Sequence, residues 1–287
     1  MLIPAPPFRS RPVLFRAPVL LQVVLLLTCA VPCELLAGSE GDSLGVSPSL
    51  LDEAGRVGCA GWSTITTPFH WDGTDALRAG GVLAATAAAY LLDDEVKSLM
   101  DRNQTAGLDR VENVVVRYGE TKVVIILSGG VYLAGLVGGD RWLRETGLLA
   151  GTALLITGAG TQLLKAVVGR ARPYTGHGPH FFTPFTADED FHSFPSGHAS
   201  AAFTLSSVLA ARIDNPWATA ALYGLATATA LSRVYSGNHW FSDVVFGALA
   251  ASAAGRRIVS VFEGEERPAT GFQVIPQPTG ISLVYRF

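Results

Sequence analysis

The stretch from Ser232 to Asp243, "SRVYSGNHWFSD", places an arginine, a histidine and an aspartate close together after an uncharged run. His239 and Asp243 are four residues apart, so on a helix the carboxylate can accept a hydrogen bond from Nδ1 of the imidazole. Such a contact would hold the histidine in one tautomer and leave its other nitrogen free to attack an electrophile. Arg233 adds positive charge, so the stretch predicts a site for attack on a negatively charged group.

Two further stretches carry groups suited to an anion. In "KAVVGRARP", Lys165 and Arg172 are seven residues apart, which is two helical turns, so they can share a face. In "FPSGHAS", a helix is predicted to open at the proline and serine, which leaves backbone N–H groups near Ser196, Gly197 and His198 free. Free N–H groups at a helix N-terminus favour a bound anion.

Together these residues predict a phosphate pocket. Lys165, Arg172 and Arg233 can donate charged hydrogen bonds to the non-bridging oxygens, and Ser196 and Gly197 can add neutral donors. One histidine can attack phosphorus while the other protonates the leaving oxygen. The cations can stabilise the phosphoryl charge by themselves, and the sequence shows no carboxylate cluster suited to a metal. We therefore expect neither a metal nor another cofactor.

The pattern K-x6-RP, PSGH and SR-x5-H-x3-D resembles that of the type-2 phosphatidic acid phosphatase superfamily. This superfamily includes membrane lipid phosphatases, soluble class A acid phosphatases and vanadium-dependent haloperoxidases. The resemblance covers residues 165–243 directly, and the apolar segments around it agree with the helical fold of the family. The positions that match are Lys165, Arg172, Pro173, Pro195, Ser196, Gly197, His198, Ser232, Arg233, His239 and Asp243.

The resemblance implies a role for each matched polar residue. His239 would be the nucleophile that forms a phosphohistidine, and Asp243 would orient it. His198 would be the acid for the leaving group and then the base for water. The residues implied to bind the phosphoryl oxygens are Lys165, Arg172, Ser196, Gly197 and Arg233.

Other ionisable residues are interpreted as structural. Arg170 is expected to be a charge at the rim of the pocket or a support behind it. The acidic run that ends the first apolar segment is expected to cap a boundary. The residues in this structural group, including three histidines of the loop 174–194, are Asp93, Asp94, Glu95, His177, His180 and His192.

The composition indicates a chain that is embedded in a membrane or built from deeply buried helices. Hydrophobic residues make up 49% of the 287 residues and charged residues 16%, below the usual quarter for soluble proteins. The mean hydropathy is +0.34. The net charge of −3, without a basic stripe, gives no indication of nucleic-acid binding. The three cysteines do not have zinc-ligand spacing.

Six apolar segments predict an all-α fold, a six-helix bundle of the phosphatase kind. Short connections after the fourth and fifth segments predict antiparallel neighbours there. The C-terminal "GFQVIPQPTGISLVYRF" alternates apolar and polar residues and predicts a short β-hairpin, either docked on the helices or acting as a tether. The segments are 76–92, 123–139, 146–168, 198–212, 217–233 and 240–262.

Four regions are predicted along the chain. Residues 1–37 combine arginines, an apolar run and small residues, as in an export signal or a retained membrane anchor. Residues 38–72 lead into the helices. The helical phosphatase domain is expected over 73–263, and the hairpin extension over 264–287.

The position relative to the membrane is left open by the sequence. A span needs about 20 apolar residues, and most of the six segments are shorter. Arg141, Arg144, Arg212, Arg256 and Arg257 lie at one set of segment ends, which by the positive-inside rule places the motifs outside the cytoplasm. An exported N-terminus would reverse that orientation. We expect a protein of the cell envelope with its site on the periplasmic face, either integral or soluble.

The predicted function is that of a metal-independent phosphatase, with lipid phosphates as its substrates: phosphatidic acid, phosphatidylglycerol phosphate or an isoprenyl pyrophosphate. The loop 174–194 contains five phenylalanines that either anchor it on the bundle or form an apolar mouth for a lipid chain. The alternatives are a soluble acid phosphatase of broad specificity, a vanadium haloperoxidase and a non-catalytic anion-binding protein.

Overall fold

The computed structural model describes residues 50–69 and 71–264 with their side chains, and the backbone of residues 271–277 and 280–286. The predicted export signal or anchor, residues 1–37, lies outside the described residues. The same is true of residues 38–49.

Nine α-helices make up most of the described part of the chain. They are α1 (Leu50–Thr66), α2 (Gly73–Tyr90), α3 (Asp93–Arg102), α4 (Ala106–Val115), α5 (Thr121–Gly138), α6 (Arg141–Val168), α7 (Gly197–Ile213), α8 (Pro216–Tyr235) and α9 (Phe241–Glu263). Single 3₁₀ turns cover Thr67–Phe69, Val116–Gly119, Pro173–Thr175 and Glu189–Phe191.

The prediction of an all-α domain is confirmed, but six helices are too few for the described residues. Each of the six apolar segments overlaps one helix, namely α2 or one of α5 to α9. The helices α1, α3 and α4 are additional. A search for apolar runs misses α3 and α4 because they are short and carry many charged side chains, as in "DDEVKSLMDR".

Local sequence accounts for where several helices begin and end. The side chain of Asp140 caps α6 by accepting a hydrogen bond from the N–H of Leu143. Asn215 caps α8, and Pro216 occupies its first position. Gly169 ends α6 with a left-handed φ of 60°, a conformation in which glycine is favoured.

The main hydrophobic core lies between α1, α6, α7 and α9. Val57, Leu149, Leu205 and Ile258, one from each helix, are almost completely buried in it. The segment predicted to lead into the helices therefore contributes α1 to the core of the helical domain.

Two close backbone contacts set the position of α7. The carbonyl oxygen of Ser196 lies 3.0 Å from where a Cβ would stand on Gly247, so α7 and α9 pack tightly at this level. The carbonyl oxygen of His198 lies 2.5 Å from where a Cβ would stand on Gly119. Any side chain at Gly119 would push the start of α7 away.

A network of ion pairs lies at the end of the bundle opposite the motif residues. Arg212 joins Glu145 of α6, at 3.3 Å, to Glu263 of α9, at 2.7 Å. Its guanidinium lies against the rings of Trp142 and Phe262, 5.5 and 5.7 Å from their centroids. This network ties the helix ends together far from the motif residues.

Three of the described helices are long and apolar enough to cross a membrane, namely α5, α6 and α9. On α5, large aliphatic side chains such as Ile126 and Val137 are exposed, which suits a surface that faces lipid.

Two strands follow α9 in the sequence. Strands β1 (Gly271–Gln277) and β2 (Gly280–Arg286) pair antiparallel, with Gly271 opposite Arg286 and Gln277 opposite Gly280. Whether this hairpin docks on the helices or acts as a tether stays a prediction.

Candidate active site

The three sequence motifs meet at one end of the bundle. Lys165 lies in the last turn of α6, Arg233 in the last turn of α8, and Asp243 in the first turn of α9. His198 follows the start of α7, and His239 lies between α8 and α9. Antiparallel packing of consecutive helices brings these ends to one side. Residues of the three motifs therefore lie close enough to act on one another's charge, as His198 does with Lys165 and Arg233.

His239 is buried and held by a backbone carbonyl. Its side chain is 3% exposed, and its Nδ1 lies 2.7 Å from the carbonyl oxygen of Ser193. A carbonyl can only accept a hydrogen bond, so Nδ1 carries the proton and Nε2 keeps its lone pair. Burial lowers the pKa of His239 to about 3, with Lys165 and Arg172 acting in the same direction and Asp243 opposing it. The imidazole is therefore neutral at physiological pH.

Asp243 does not make the direct hydrogen bond that its spacing from His239 predicts. Its Oδ2 lies 3.8 Å from Nδ1 of His239, beyond hydrogen-bond distance. That oxygen instead accepts from the Oγ of Ser193 at 2.5 Å and from the N–H of Trp240 at 2.8 Å. Ser193 thus joins the two residues, since its hydroxyl binds Asp243 and its carbonyl binds His239.

Arg170 is a buried support of the site and not a rim charge. Its side chain is 1% exposed, and its Nη1 donates to Oδ1 of Asp243 at 2.6 Å. Its Nη2 donates to Oδ2 of Asp93 at 2.7 Å, and both Nε and Nη2 donate to the carbonyl of Pro179. Asp93 also accepts from the backbone and hydroxyl of Ser242. Of the two roles expected for Arg170, the structure shows the support behind the pocket.

Aromatic rings surround the guanidinium of Arg170. Its carbon lies 4.9, 5.8 and 5.6 Å from the ring centroids of Tyr90, Phe182 and Trp240. Trp240 is fixed in turn, because its Nε1 donates to the carbonyl of Ala171 at 2.8 Å. These contacts immobilise the cation, so the carboxylate it holds is also fixed in position.

Lys165 and Arg172 are each oriented by backbone carbonyls. The Nζ of Lys165 donates to the carbonyl of His192 at 2.6 Å, and its Cε lies 3.9 Å from where a Cβ would stand on Gly197. Arg172 donates from Nε to the carbonyl of Glu189 at 3.0 Å, and from Nη1 to that of Asn238 at 3.3 Å. Their remaining N–H groups are available for an anion.

Arg233 is positioned by a carboxylate from α4. Its Nη1 lies 3.3 Å from Oε1 of Glu112. Within the described residues its Nε is buried and has no hydrogen-bond partner. A donor of this kind is costly to leave unsatisfied, and a phosphoryl oxygen would satisfy it.

The start of α7 differs in one respect from the prediction. Ser196 caps the helix, and its own N–H donates to the carbonyl of Asp243 at 3.1 Å, so that N–H is not free. The N–H groups of Gly197 and His198 belong to the first turn, where no intrahelical acceptor exists. They are the backbone donors that α7 can offer to an anion.

His198 is half-buried and has cations on several sides. Burial lowers its pKa to about 4, with Arg233, Lys165 and Arg172 acting in the same direction. Glu120, at the start of α5, opposes the shift. A bound phosphate would bring negative charge to the same place and favour the protonated form of His198.

The phenylalanines of the loop 174–194 divide between the two predicted roles. Phe191 is 6% exposed, and Phe194 packs on Phe246 with ring centroids 4.8 Å apart, so these two anchor the loop. Three others, Phe181, Phe182 and Phe185, are more than a third exposed. They are available to contact an apolar ligand.

Several supporting residues were not found by sequence reasoning. Ser193 stands next to a motif and could have been considered for that reason. Asp93 was interpreted as a cap, yet it joins Arg170, which is 77 positions later. Glu112 and Glu120 lie in a charged region without a periodic pattern that would single them out.

Comparison with known proteins agrees with these motifs. The model of the PAP2 superfamily matches residues 146–267, which contain all three motif stretches. A lipid A 1-phosphatase of Rhizobium etli is 35% identical over 177 residues, which is 57% of this chain and 74% of that protein. A lipid A 1-phosphatase of Rhizobium johnstonii is 35% identical over 97 residues, 33% of this chain and 38% of that protein.

A solved structure shares the fold. The first transmembrane PAP2 type phosphatidylglycerolphosphate phosphatase, from Bacillus subtilis, matches with a TM-score of 0.51 at 18% identity. The match covers 67% of this chain and 97% of that one. At this identity the match shows a shared fold.

Proposed function

The chain belongs to the PAP2 superfamily and is a phosphatase, and from that premise we propose that it hydrolyses lipid phosphates without a metal, through a phosphohistidine on His239. The observation that carries this proposal is the state of His239. A buried, neutral imidazole whose Nδ1 donates to the carbonyl of Ser193 keeps the Nε2 lone pair that attack on phosphorus requires.

In the proposed first step, the Nε2 lone pair of His239 attacks phosphorus in line with the leaving oxygen. The P–N bond forms as the P–O bond to the lipid breaks, and His198 gives its proton to the departing oxygen. Lys165, Arg172 and Arg233 stabilise the charge on the three equatorial oxygens, which is the main requirement in phosphoryl transfer.

In the second step, water attacks the phosphohistidine. His198 accepts a proton from that water, the P–N bond breaks, and its electron pair returns to Nε2 of His239. His198 then passes this proton to the inorganic phosphate, which leaves as the monoanion, and the enzyme returns to its starting state. The proton that His198 needs in the first step can arrive with the substrate as a phosphate monoanion, because free His198 is neutral at pH 7.

Three features support a lipid as the substrate. The relatives of known activity named above act on lipid A. The pocket lies at the ends of helices that are long and apolar enough for a membrane. Exposed phenylalanines of the loop 174–194 stand near the buried Arg170, as the contact of Phe182 shows. Lipid A 1-phosphate is the first substrate to test, followed by phosphatidic acid, phosphatidylglycerol phosphate and an isoprenyl pyrophosphate.

We place the pocket on the periplasmic face of the membrane. Arg141, Arg144 and Arg212 lie at the opposite end of the bundle, and an excess of basic residues is typical of the cytoplasmic side. A cysteine introduced at the exposed Phe185 would test this orientation. It should react with a membrane-impermeant thiol reagent in intact cells if the pocket is periplasmic.

The test of the proposed function is phosphate release by the purified protein in detergent with EDTA. The four lipid phosphates and p-nitrophenyl phosphate are compared, with His239→Ala as the control. We expect release from at least one lipid and no release by the variant. We also expect Asp243→Asn to lower the rate by several orders of magnitude. Asp243 accepts a hydrogen bond from the hydroxyl of Ser193, and the carbonyl of the same serine orients His239.

Different outcomes would contradict different parts of the proposal. Undiminished turnover by His239→Ala would remove the phosphohistidine mechanism. Hydrolysis of p-nitrophenyl phosphate alone would favour an acid phosphatase of broad specificity. Bromide oxidation on addition of vanadate and peroxide, without phosphate release, would favour a haloperoxidase.

A further inference from the structure

Glu120 is a carboxylate that the proposed reaction does not use. It precedes the first residue of α5, but its side chain makes no capping hydrogen bond to that helix. Its Oε2 lies 2.7 Å from Nζ of Lys122, a residue only two positions later, so this ion pair does not tie two helices together. The side chain of Glu120 is 26% exposed and that of Lys122 is largely exposed, so both can reach a ligand from solvent.

The backbone beside Glu120 is fixed against the start of α7. A Cβ on Gly119 would stand 2.5 Å from the carbonyl oxygen of His198 and 2.6 Å from Cγ2 of Thr229. The 3₁₀ turn that ends at Gly119 is therefore packed between α7 and α8. Glu120, the next residue, is held close to the histidine that is proposed to act as the acid.

Helix packing also places Glu120 beside the phosphate-binding residues. Helices α5 and α6 run antiparallel, because residues late in α5 meet residues early in α6, as Gly135 meets Arg144. The start of α5 consequently lies beside the last turns of α6, which carry Lys165. A cavity of about 500 Å³ is lined both by Lys165 and by Thr121, the residue that follows Glu120.

Glu120 and His198 are close enough for each to change the charge state of the other. Burial lowers the pKa of His198 to about 4, and Glu120 acts in the opposite direction. The hydrogen bond from Lys122 lowers the pKa of Glu120, and the charge of His198 adds to that effect. The carboxylate is therefore ionised at neutral pH and available as a hydrogen-bond acceptor.

The proposed reaction puts the leaving alcohol on the same side as Glu120. In-line attack places His239 and the departing oxygen on opposite sides of phosphorus, and His198 protonates that oxygen. The alcohol that carries the oxygen thus lies on the His198 side of the pocket. A free hydroxyl on this alcohol could donate to a carboxylate there, whereas an alkyl or fully acylated alcohol has no donor to offer.

We propose that Glu120, held by Lys122, accepts a hydrogen bond from a free hydroxyl of the leaving alcohol and so favours lipid phosphates whose alcohol is a polyol. This inference rests on the proposed function, since it takes the direction of the leaving group from the role of His198. A hydrogen bond to a charged group contributes about tenfold or more in binding, and a substrate without the hydroxyl gains nothing from Glu120.

The test compares phosphatidylglycerol phosphate with phosphatidic acid. Both carry two acyl chains, but the leaving alcohol of the first is a glycerol with a free hydroxyl, while the glycerol of the second is fully acylated. For Glu120→Ala we expect kcat/KM to fall about tenfold or more with phosphatidylglycerol phosphate and less than about threefold with phosphatidic acid. Glu120→Gln keeps a neutral acceptor oxygen and should lose less than Glu120→Ala.

Asp75→Ala is the matched control. Asp75 is 25% exposed and pairs with the exposed Arg78 three positions later, so its ion pair is as local as that of Glu120. It lies fifteen residues before Tyr90, or about 22 Å along α2, and Tyr90 is the residue of that helix that contacts Arg170. Asp75→Ala should match the wild type with both lipids in the same detergent.

The outcomes separate this inference from the proposed function. An unchanged ratio of the two kcat/KM values in Glu120→Ala would overturn the inference. An equal fall with both lipids would show that Glu120 acts only through the charge of His198, and would overturn it as well. A wild type without activity on phosphatidylglycerol phosphate would contradict it directly. If the wild type hydrolyses phosphatidic acid and loses this activity on His239→Ala, the phosphatase site stands whatever the ratio.

Discussion

Replacing Arg170 by methionine is the sharpest test of how the site is held. The methionine keeps much of the aliphatic stem but removes the guanidinium, which makes hydrogen bonds to Asp93, Asp243, Ser242 and Pro179. Arg170 is not placed to touch the phosphoryl group. We therefore predict that it acts through Asp243, as a positioning residue.

The expected loss can be estimated from these contacts. Asp93 and Asp243 are fully buried, and removal of their shared cation is expected to cost about 3–5 kcal/mol of stability. Without this cation Asp243 is no longer held in place, and neither is Ser193, whose hydroxyl donates to Asp243. The carbonyl of Ser193 orients His239, so the imidazole would shift as well. A displacement of the nucleophile by about 1 Å costs on the order of 100-fold in rate. That corresponds to about 2.7 kcal/mol in the activation barrier.

The assay separates position from binding and from stability. We expect Arg170→Met to lower kcat about 100-fold and to change KM less than about threefold, because Lys165, Arg172 and Arg233 remain. Arg170→Lys, which keeps the charge and some of the donors, should recover about tenfold of the lost rate.

Arg212→Met is the control for Arg170→Met. Arg212 is also a buried arginine between two carboxylates and two aromatic rings, but at the other end of the bundle. It should lower the unfolding temperature and leave kcat within about twofold of the wild type. A kcat for folded Arg170→Met within threefold of the wild type would refute the reasoning, as would an equal loss of kcat in Arg212→Met.

Two further predictions follow from the geometry. Gly119→Ala should lower kcat at least about tenfold, because its Cβ would stand 2.5 Å from the carbonyl oxygen of His198. Gly224→Ala, which has open space around its Cβ, should leave kcat unchanged. Equal rates for both variants would contradict the role of this close contact. The kcat/KM of a phosphomonoester should decline above about pH 6, the second pKa of a phosphate monoester. Burial lowers the pKa of His198 to about 4 and that of His239 to about 3. The free enzyme is therefore neutral at both residues above pH 5, and the proton must come with the monoanionic substrate. If kcat/KM instead fell as the pH dropped below about 6.5, a histidine of ordinary pKa would be titrating, and the reasoning from burial would be wrong.

Residue type and local spacing determined much of this protein. Apolar runs predict α2 and α5 to α9, because burial of a continuous helix face requires such runs whatever the partner helix is. The motif residues Lys165, Arg172, His198, Arg233 and His239 could be found because each lies at a helix end beside other polar residues. Their types alone indicate phosphate chemistry.

The tertiary structure decided how those residues are held. The spacing of His239 and Asp243 permits a direct hydrogen bond, but the carboxylate is already satisfied by Ser193, Trp240 and Arg170. Competition among donors depends on which elements surround the carboxylate, and this cannot be read from a spacing of four.

Packing also decides the role of Arg170, because the sequence pattern cannot distinguish this buried arginine from an exposed one. It is buried because Asp93, 77 positions earlier, and Asp243, 73 positions later, converge on it when α3 and α9 pack together. The sequence alone thus determined which groups carry the proposed phosphate chemistry, while long-range packing decided which partner each group binds.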